Sequence, residues 1–339
     1  MRPLKVCFIV PSAYPVIDSS ANHPIGGWET RAWLFARGLV ELNEKIEVSF
    51  ALRTPRKIRQ TSYDGVQLVH RAEPLFYVRK SVSQCVNITE NFPWLSIQHW
   101  ESSLLWKIPL LAVCRPFRKP VPSTFITEKE ISKIDTDFYC CFGVSTRSAA
   151  IGSVVRSLKK KNVLFLGSNS DLDDRYQSHT SFINQWGERG EDCYQAIMNA
   201  DAIIAQNTEQ QKLLKRQFGR HSVVISNPVD VSQWKNKEIT SNVKSLMALP
   251  ERYVLWVGRS DRQIKRPLLC LELAKRLPEI QFLMVLNPDL QEIENEVLQQ
   301  CPANVTIIPK VHFSKMPTVM SHATAFLNTS AKKIEGFPN

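Results

Sequence analysis

The chain has 339 residues, 43% of them hydrophobic and 22% charged, which excludes a disordered polymer and leaves room for two buried cores. Lys and Arg number 43 against 32 Asp and Glu, and the net charge of +11 favours acidic partners: nucleotides, nucleic acid or an anionic membrane face. A basic soluble surface accounts for the same charge. None of the eight cysteines forms a C-x-x-C pair, so the spacing of zinc and redox motifs is absent, and several sit in apolar runs as small hydrophobes of a reducing compartment.

The N-terminus lacks an apolar stretch of signal length, and the most apolar window, Leu104 to Val113, is broken by Lys107 and Pro109. The expected location is therefore cytoplasmic. Lys5 to Val10 is a continuous apolar run ended by Pro11, as in a strand buried on both faces of a parallel sheet. A loop rich in Pro, Ser, Asn and Gly follows, from Pro11 to Gly27. Helical spacing then begins at Trp28, with Ala32, Phe35, Leu39 and Leu42 on one face. Ile46 to Leu52 reads as the second strand, and strand, loop, helix, strand opens a doubly wound α/β domain.

Further strands are predicted at Val66–His70, Phe138–Phe142, Val163–Leu166, Ala202–Ala205 and Ser222–Ile225, and helices at Arg147–Lys160, Glu191–Asn199 and Thr208–Phe218. Val82 to Pro122, rich in Trp and Pro, yields no assignment. Ser226-Asn227-Pro228-Val229-Asp230 is a turn sequence, and the alternation restarts at Tyr253. Strands then fall at Tyr253–Val257, Gln281–Leu286, Val305–Ile308 and Ala325–Asn328, and helices at Arg266–Leu277, Leu290–Gln300 and Lys315–Ser321. The boundary lies within Pro228–Pro250, dividing the chain into residues 1–228 and 229–339. The second part holds about four strands where a complete doubly wound domain has about six. The chain is thus expected to end inside its second domain.

In Val254-Leu255-Trp256-Val257-Gly258-Arg259 a buried strand delivers an Arg at its carboxyl end, where open α/β sheets bind ligands. Lys265 follows, just before a helix opening near Pro267. A guanidinium fork, an ammonium and a helix N-terminus are the donors a diphosphate needs. On spacing alone, two solvated loop cations remain the commoner reading.

This pattern resembles the second-domain opening of the family-4 retaining glycosyltransferases (glycosyltransferase group 1), the sucrose-synthase-like and mannosyltransferase-like group. The resemblance extends over most of the chain. Gly26-Gly27 before Trp28-Glu29 resembles the family's glycine pair in the first strand-to-helix loop. Ala200 to Ala205 with Thr208-Glu209, and then Ile225 to Asp230, resemble the strand, helix and interdomain segment that close its first domain. Glu335-Gly336-Phe337 resembles the start of its E-x7-E motif.

The resemblance implies a GT-B fold. An N-terminal acceptor-side Rossmann-like domain and a partial C-terminal nucleotide-sugar domain would face one another across a cleft. It implies glycosyl transfer from a nucleotide sugar to a glycan, lipid-linked or small-molecule acceptor, with retention and without a metal or other cofactor. Arg259 and Lys265 would hold the donor diphosphate. Gly26 and Gly27 would let the backbone approach donor and acceptor. Glu335, the catalytic candidate, would accept hydrogen bonds from donor-sugar hydroxyls beside the amides of Gly336 and Phe337. Lys310-Val311-His312 follows a strand where the family places its base pocket, which assigns Val311 and His312 there.

Two departures stand against the pattern. The second glutamate of E-x7-E would fall beyond Asn339, and Tyr139-Cys140-Cys141-Phe142-Gly143 has no His where the family often carries one. His179 does not align with that role, and His70, His99, His221 and His322 read as structural. Asp171, Asp173 and Asp174 lack the spacing of a calcium loop and read as a solvated acidic turn. Three rival functions follow: an inactive nucleotide-sugar-binding remnant, a nucleic-acid-binding protein, and a dinucleotide oxidoreductase. The third lacks G-x-G-x-x-G after the first strand, and no nucleic-acid-binding motif is present, so nucleic acid is not an expected partner.

Basic residues cluster at Arg53, Arg56, Lys57 and Arg59, at Arg115, Arg118 and Lys119, and at Lys159, Lys160 and Lys161. With Trp94, Trp100, Trp106 and Phe117 nearby, they suggest peripheral contact with the inner, anionic face of a membrane. Solvated basic loops over a buried aromatic core are the alternative.

Overall fold

The computed structural model describes residues 2–18, 26–54, 57–73, 75–88, 92, 95–117, 128–231, 249–309, 311 and 315–331. The chain divides into two compact units, with the division between Pro228 and Val229.

The first unit opens with β1 (Leu4–Ile9), a short α1 (Tyr14–Ile17), α2 (Gly27–Leu42) and β2 (Ile46–Thr54). A hairpin of β3 (Ser62–Tyr63) and β4 (Val66–Ala72) leads to α3 (Phe76–Cys85), the strand pair β5 (Val86–Ile88) and β6 (Leu95–Ile97), and α4 (Leu104–Cys114). The short α5 (Glu128–Ile131) precedes β7 (Phe138–Phe142), α6 (Thr146–Ser157), β8 (Lys161–Phe165), α7 (Gly190–Asn199), β9 (Ala202–Ala205), α8 (Thr208–Phe218) and β10 (Val223–Val224). Eight of these strands form one sheet in the order β10-β9-β8-β7-β1-β2-β4-β3, parallel throughout except for β3 on β4.

The apolar run of β1 is buried on both faces because it lies mid-sheet between β7 and β2. Cys7 and Ile9 join Tyr139, Cys141 and Leu164 in one core, while Val6 and Phe8 join Phe50, Phe142 and Phe165 in the other. Phe142 and Phe165 stack with centroids 4.5 Å apart. The helix predicted from Trp28 buries Ala32, Trp33 and Ala36 against this second core. Local chemistry sets the helix starts. Ser145 and Ser148 form a reciprocal capping box at α6, and Asn207 accepts from the Gln210 amide at α8.

The second unit runs β11 (Tyr253–Arg259), α9 (Pro267–Arg276), β12 (Phe282–Asn287), α10 (Gln291–Gln299), β13 (Val305–Pro309), α11 (Met316–Ser321) and β14 (Ala323–Leu327). Its strands are all parallel, in the order β13-β12-β11-β14. Trp256, Met284, Cys270 and Ile293 pack on one face, and Tyr253, Leu255, Leu283 and Val319 on the other. Both units are Rossmann-like, and in each the chain reverses direction beside the first strand: between β1 and β7 in the first unit, and between β11 and β14 in the second. The eight cysteines are free thiols, six of them buried. Among the described residues, no helix is long and apolar enough to cross a membrane.

Strand β11 contains one obligatory glycine. A Cβ on Gly258 would stand 2.5 and 2.7 Å from ring carbons of Trp256, which is 2% exposed and fixed by its neighbours. Gly258→Ala is therefore expected to destabilise the second unit by about 1–3 kcal/mol. Gly38, exposed mid-helix with nothing within 4 Å of its Cβ position, behaves oppositely, and Gly38→Ala is expected to stabilise by about 0.5–1 kcal/mol. Urea titrations of both variants check the pair of signs.

Candidate functional site

Arg259 is the last residue of β11, two residues beyond the predicted strand end, and so emerges at the carboxyl edge beside the chain reversal. Its guanidinium is half-exposed and lies 3.1 Å from the Asp289 carboxylate and 3.6 Å from that of Asp261. The loop that follows is tightly built. Asp261 Oδ1 accepts from the amides of Gln263 and Ile264 at 2.8 and 2.7 Å, and the Arg266 amide donates to the Asp261 carbonyl at 2.8 Å. This returns Lys265 to the strand end, where its Cβ lies 3.2 Å from the position of a Cβ on Gly258. Arg259 and Lys265 thus lie at the two ends of one loop that starts and returns at the end of β11.

Residue Arg266 has φ +51°, a left-handed conformation costly for a side chain of its size, and it precedes Pro267 at the first position of α9. The surroundings hold it there. Arg266 Nε donates to the Thr329 carbonyl at 2.6 Å and Nη2 to the Ser330 carbonyl at 3.1 Å. The Thr329 hydroxyl donates to the Lys265 carbonyl at 2.6 Å and accepts from the Trp256 indole at 2.8 Å, and the Ala331 amide donates to the Ile264 carbonyl at 2.8 Å. The β11–α9 loop is therefore clasped to the chain leaving β14, across the chain reversal. No side chain caps the first amides of α9, which leaves a positive helix end beside the two cations. Ser260, fully buried, accepts from the amides of Asp289 and Leu290 at 2.7 and 3.1 Å and so sets Asp289 beside Arg259. The loop thus carries two basic residues and an uncapped helix start, with the Asp261 and Asp289 carboxylates beside Arg259. Sequence reading missed Arg266, Asp289 and Thr329. Arg266 adjoins the predicted site, but no local signal marks Thr329.

In the first unit, Gly26 caps and Gly27 begins α2, again without a side-chain cap. Glu29 in the first turn is 7% exposed, and its Oε1 accepts from the Ser12 hydroxyl at 2.7 Å. Its Oε2 has no hydrogen-bond partner and occupies the space a Cβ on Gly26 would need. Glu29 thus folds back over Gly26. Next to this turn a small cavity opens at the carboxyl ends of β1 and β7, lined by Ser12, Trp28, Ser145 and Arg147. A larger cavity over one face of β1, β2 and β4 involves Lys5, Arg71, Glu47, Glu130 and Asp135, and these charges pair with one another: Lys5 with Glu47 and Asp135, and Arg71 with Glu130.

Two charged residues of the first unit, Arg31 and Asp171, act on one another's protonation. Arg31 is 2% exposed, donates to the Leu166 carbonyl at 2.5 Å, and lies over the rings of Phe35, Phe142 and Phe165. Burial pulls its pKa down to about 10, against the favourable field of Asp171. Burial also pushes Asp171 up to about 6, opposed by hydrogen bonds from the Gly167, Val144 and Ser168 amides and by the charge of Arg31. The acidic turn is therefore not wholly solvated: Asp171 points inward, and Asp173 pairs with Arg175 at 2.6 Å. Among the described residues no group of three or more acidic, His or Cys side chains could hold a metal ion.

Val311 follows β13 and packs against the core of the second unit. Glu335, Gly336, Phe337 and His312 lie outside the described residues. His179 is exposed at φ +62°, 3.7 Å from Glu191.

No protein-family model and no curated protein matches the sequence. Solved structures do match the fold. HepE from Anabaena in complex with UDP-glucose superposes with a TM-score of 0.54 at 13% identity, over 96% of this chain and 74% of its own. The catalytic domain of starch synthase IV from Arabidopsis thaliana, bound to ADP and acarbose, gives 0.53 at 13% identity over 97% and 78%. Trehalose-6-phosphate synthase gives 0.53 at 8% identity over 98% and 79%. What is shared at these identities is the fold, two Rossmann-like units of the GT-B class.

The Asp171 carboxyl supplies a pH test. Its folded pKa of about 6 exceeds the ordinary 3.8, so its contribution to stability is fully present below 3.8 and is lost as pH rises through about 6. Asp171→Asn is expected to remove that slope. Urea unfolding of the two proteins across this range checks it, with a growing advantage for the variant toward neutral pH.

Proposed function

We propose that the chain transfers a hexosyl unit from a nucleotide-sugar donor to an acceptor, with retention at the anomeric carbon, in the manner of the family-4 glycosyltransferases its motifs resemble. The observation that carries this reading is the convergence of Arg259, Lys265 and the uncapped end of α9 at the carboxyl edge of β11. The nucleotides bound to HepE and starch synthase IV support a nucleoside-diphosphate ligand. Which base, sugar and acceptor (glycan, lipid-linked or small molecule) are used is for substrate panels to resolve.

In this reading the donor diphosphate takes up the exposed half of the Arg259 guanidinium, while Asp261 and Asp289 keep the fork aimed. Lys265 adds a second positive charge. Together with the amides of α9 they neutralise charge developing on the leaving nucleotide, with no metal in the scheme. Gly26 and Gly27 bring the uncapped end of α2 toward donor phosphate and acceptor. Glu335 accepts from donor-sugar hydroxyls beside the Gly336 and Phe337 amides, and Val311 and His312 flank the base. A donor phosphate oxygen assists removal of the acceptor proton. The location is cytoplasmic, with peripheral contact at an anionic membrane face.

Calorimetric titration with UDP-glucose and ADP-glucose tests donor recognition. Arg259→Ala and Lys265→Ala should each weaken the bound donor about tenfold or more, the scale of a lost charge-assisted hydrogen bond. Unchanged affinity in both variants contradicts the assignment. Proton NMR of the product then reads the anomeric configuration, which this reading predicts to be that of the donor. Donor binding without any product would favour the non-catalytic alternative.

A further inference from the structure

Helix α4 is apolar on both its faces. Its inward positions are Leu104, 1% exposed, then Ile108, which packs with Val82, Cys85 and Val86. Its one charged residue, Lys107, also turns inward: the side chain is 14% exposed, donates to the Ser81 hydroxyl at 2.6 Å and pairs with Glu101 at 3.8 Å. The outward positions are Leu105, Trp106, Pro109, Ala112 and Val113, all exposed and all apolar. Leu105, Pro109 and Val113 follow one another at four-residue spacing, so they form a single stripe. Phe117, 85% exposed, extends that stripe past the helix end. Phe92, Leu95, Ile97 and Trp100 are exposed in the preceding segment. An apolar surface of this kind marks an interaction site.

Charge selects the partner. Residues 76–119 carry six Lys and Arg against two Glu; of these, Arg79 is paired with Glu73 and Lys107 with Glu101. Arg115, exposed, stands between the stripe and Phe117, and Arg118 and Lys119 follow in sequence. An exposed Arg beside exposed Trp and Phe side chains, with two more basic residues next in sequence, suits an anionic lipid headgroup layer over acyl chains. Eleven residues of helix extend about 16 Å, half the hydrocarbon thickness, so α4 can lie in the interface but not cross it.

We propose that α4 and the flanking Phe92–Phe117 surface form the docking face of this protein for an anionic bilayer, with α4 lying flat and its Leu105–Pro109–Val113 stripe in the acyl boundary. This deepens the membrane contact of the proposed function, and it stands or falls independently of donor binding and transfer. The stripe supplies apolar burial, and exposed Arg115, with the basic residues that follow it in sequence, supplies headgroup attraction.

Flotation of the full chain with vesicles of phosphatidylcholine alone, and of phosphatidylcholine and phosphatidylglycerol in equal parts, tests it. The expected result is flotation with the anionic vesicles, weakened by added salt, and little with the neutral ones. The triple variant Leu105→Gln, Val113→Gln, Phe117→Gln, all at exposed positions, should keep its circular dichroism melt and lose vesicle partitioning by roughly tenfold or more. Ile183→Gln with Trp186→Gln, exposed apolar residues elsewhere in the first unit, should leave partitioning unchanged. No flotation with anionic vesicles overturns the proposal, as does a triple variant that floats like the parent. Sedimentation showing a dimer that the triple variant dissolves, without vesicle binding, assigns the face to a second copy and also overturns it.

Discussion

The Thr329 hydroxyl joins three parts of the second unit that are far apart in sequence. It accepts from the indole of Trp256, buried in β11, and donates to the carbonyl of Lys265, while the Thr329 carbonyl receives Arg266. Those bonds compensate the left-handed backbone of Arg266 and fix where the loop from Arg259 to α9 turns. Without that clasp the two cations would sit on a wandering loop, and a diphosphate would have to order them on binding. With it, the amides of α9 and both side chains are presented together. The same indole excludes any side chain at Gly258, so the strand end, the loop and the core are one packing problem.

The two units use the same device with different contents. In each, an uncapped helix start faces the carboxyl end of the first strand beside a chain reversal. In the second unit the neighbours are cations, apt for phosphate. In the first they are Ser12, Trp28 and Arg147 around a small cavity, with the buried carboxylate of Glu29 bonded to Ser12.

Much of this was legible in the sequence. Apolar runs such as Val6 to Ile9 and Leu283 to Leu286 can be buried on both faces only in parallel sheets, and the capping residues Asn207 and Ser145 mark helix starts. The Asp64-Gly65 turn closing the β3–β4 hairpin was also there to be read, since both residues adopt positive φ. Two features were not legible. The partners of Arg259 and Lys265 come from Asp289 and Thr329, and no local pattern reports a contact made across a sheet. The region from Val82 to Pro122 defeated periodicity because α4 is apolar on both faces and turns its one lysine inward, so no polar face marks the solvent side. The alternative of an aromatic core under basic loops fails there, since Trp100, Trp106 and Phe117 are exposed.

The central claim is that the Arg259–Arg266 loop receives the diphosphate of a nucleotide. A crystal structure of the full chain with UDP or ADP bound addresses it directly. The account predicts phosphate oxygens within hydrogen-bonding distance of the Arg259 guanidinium and the Lys265 ammonium, with the amides opening α9 turned toward them. A nucleotide bound elsewhere, with no phosphate oxygen near Arg259 or Lys265, would contradict it.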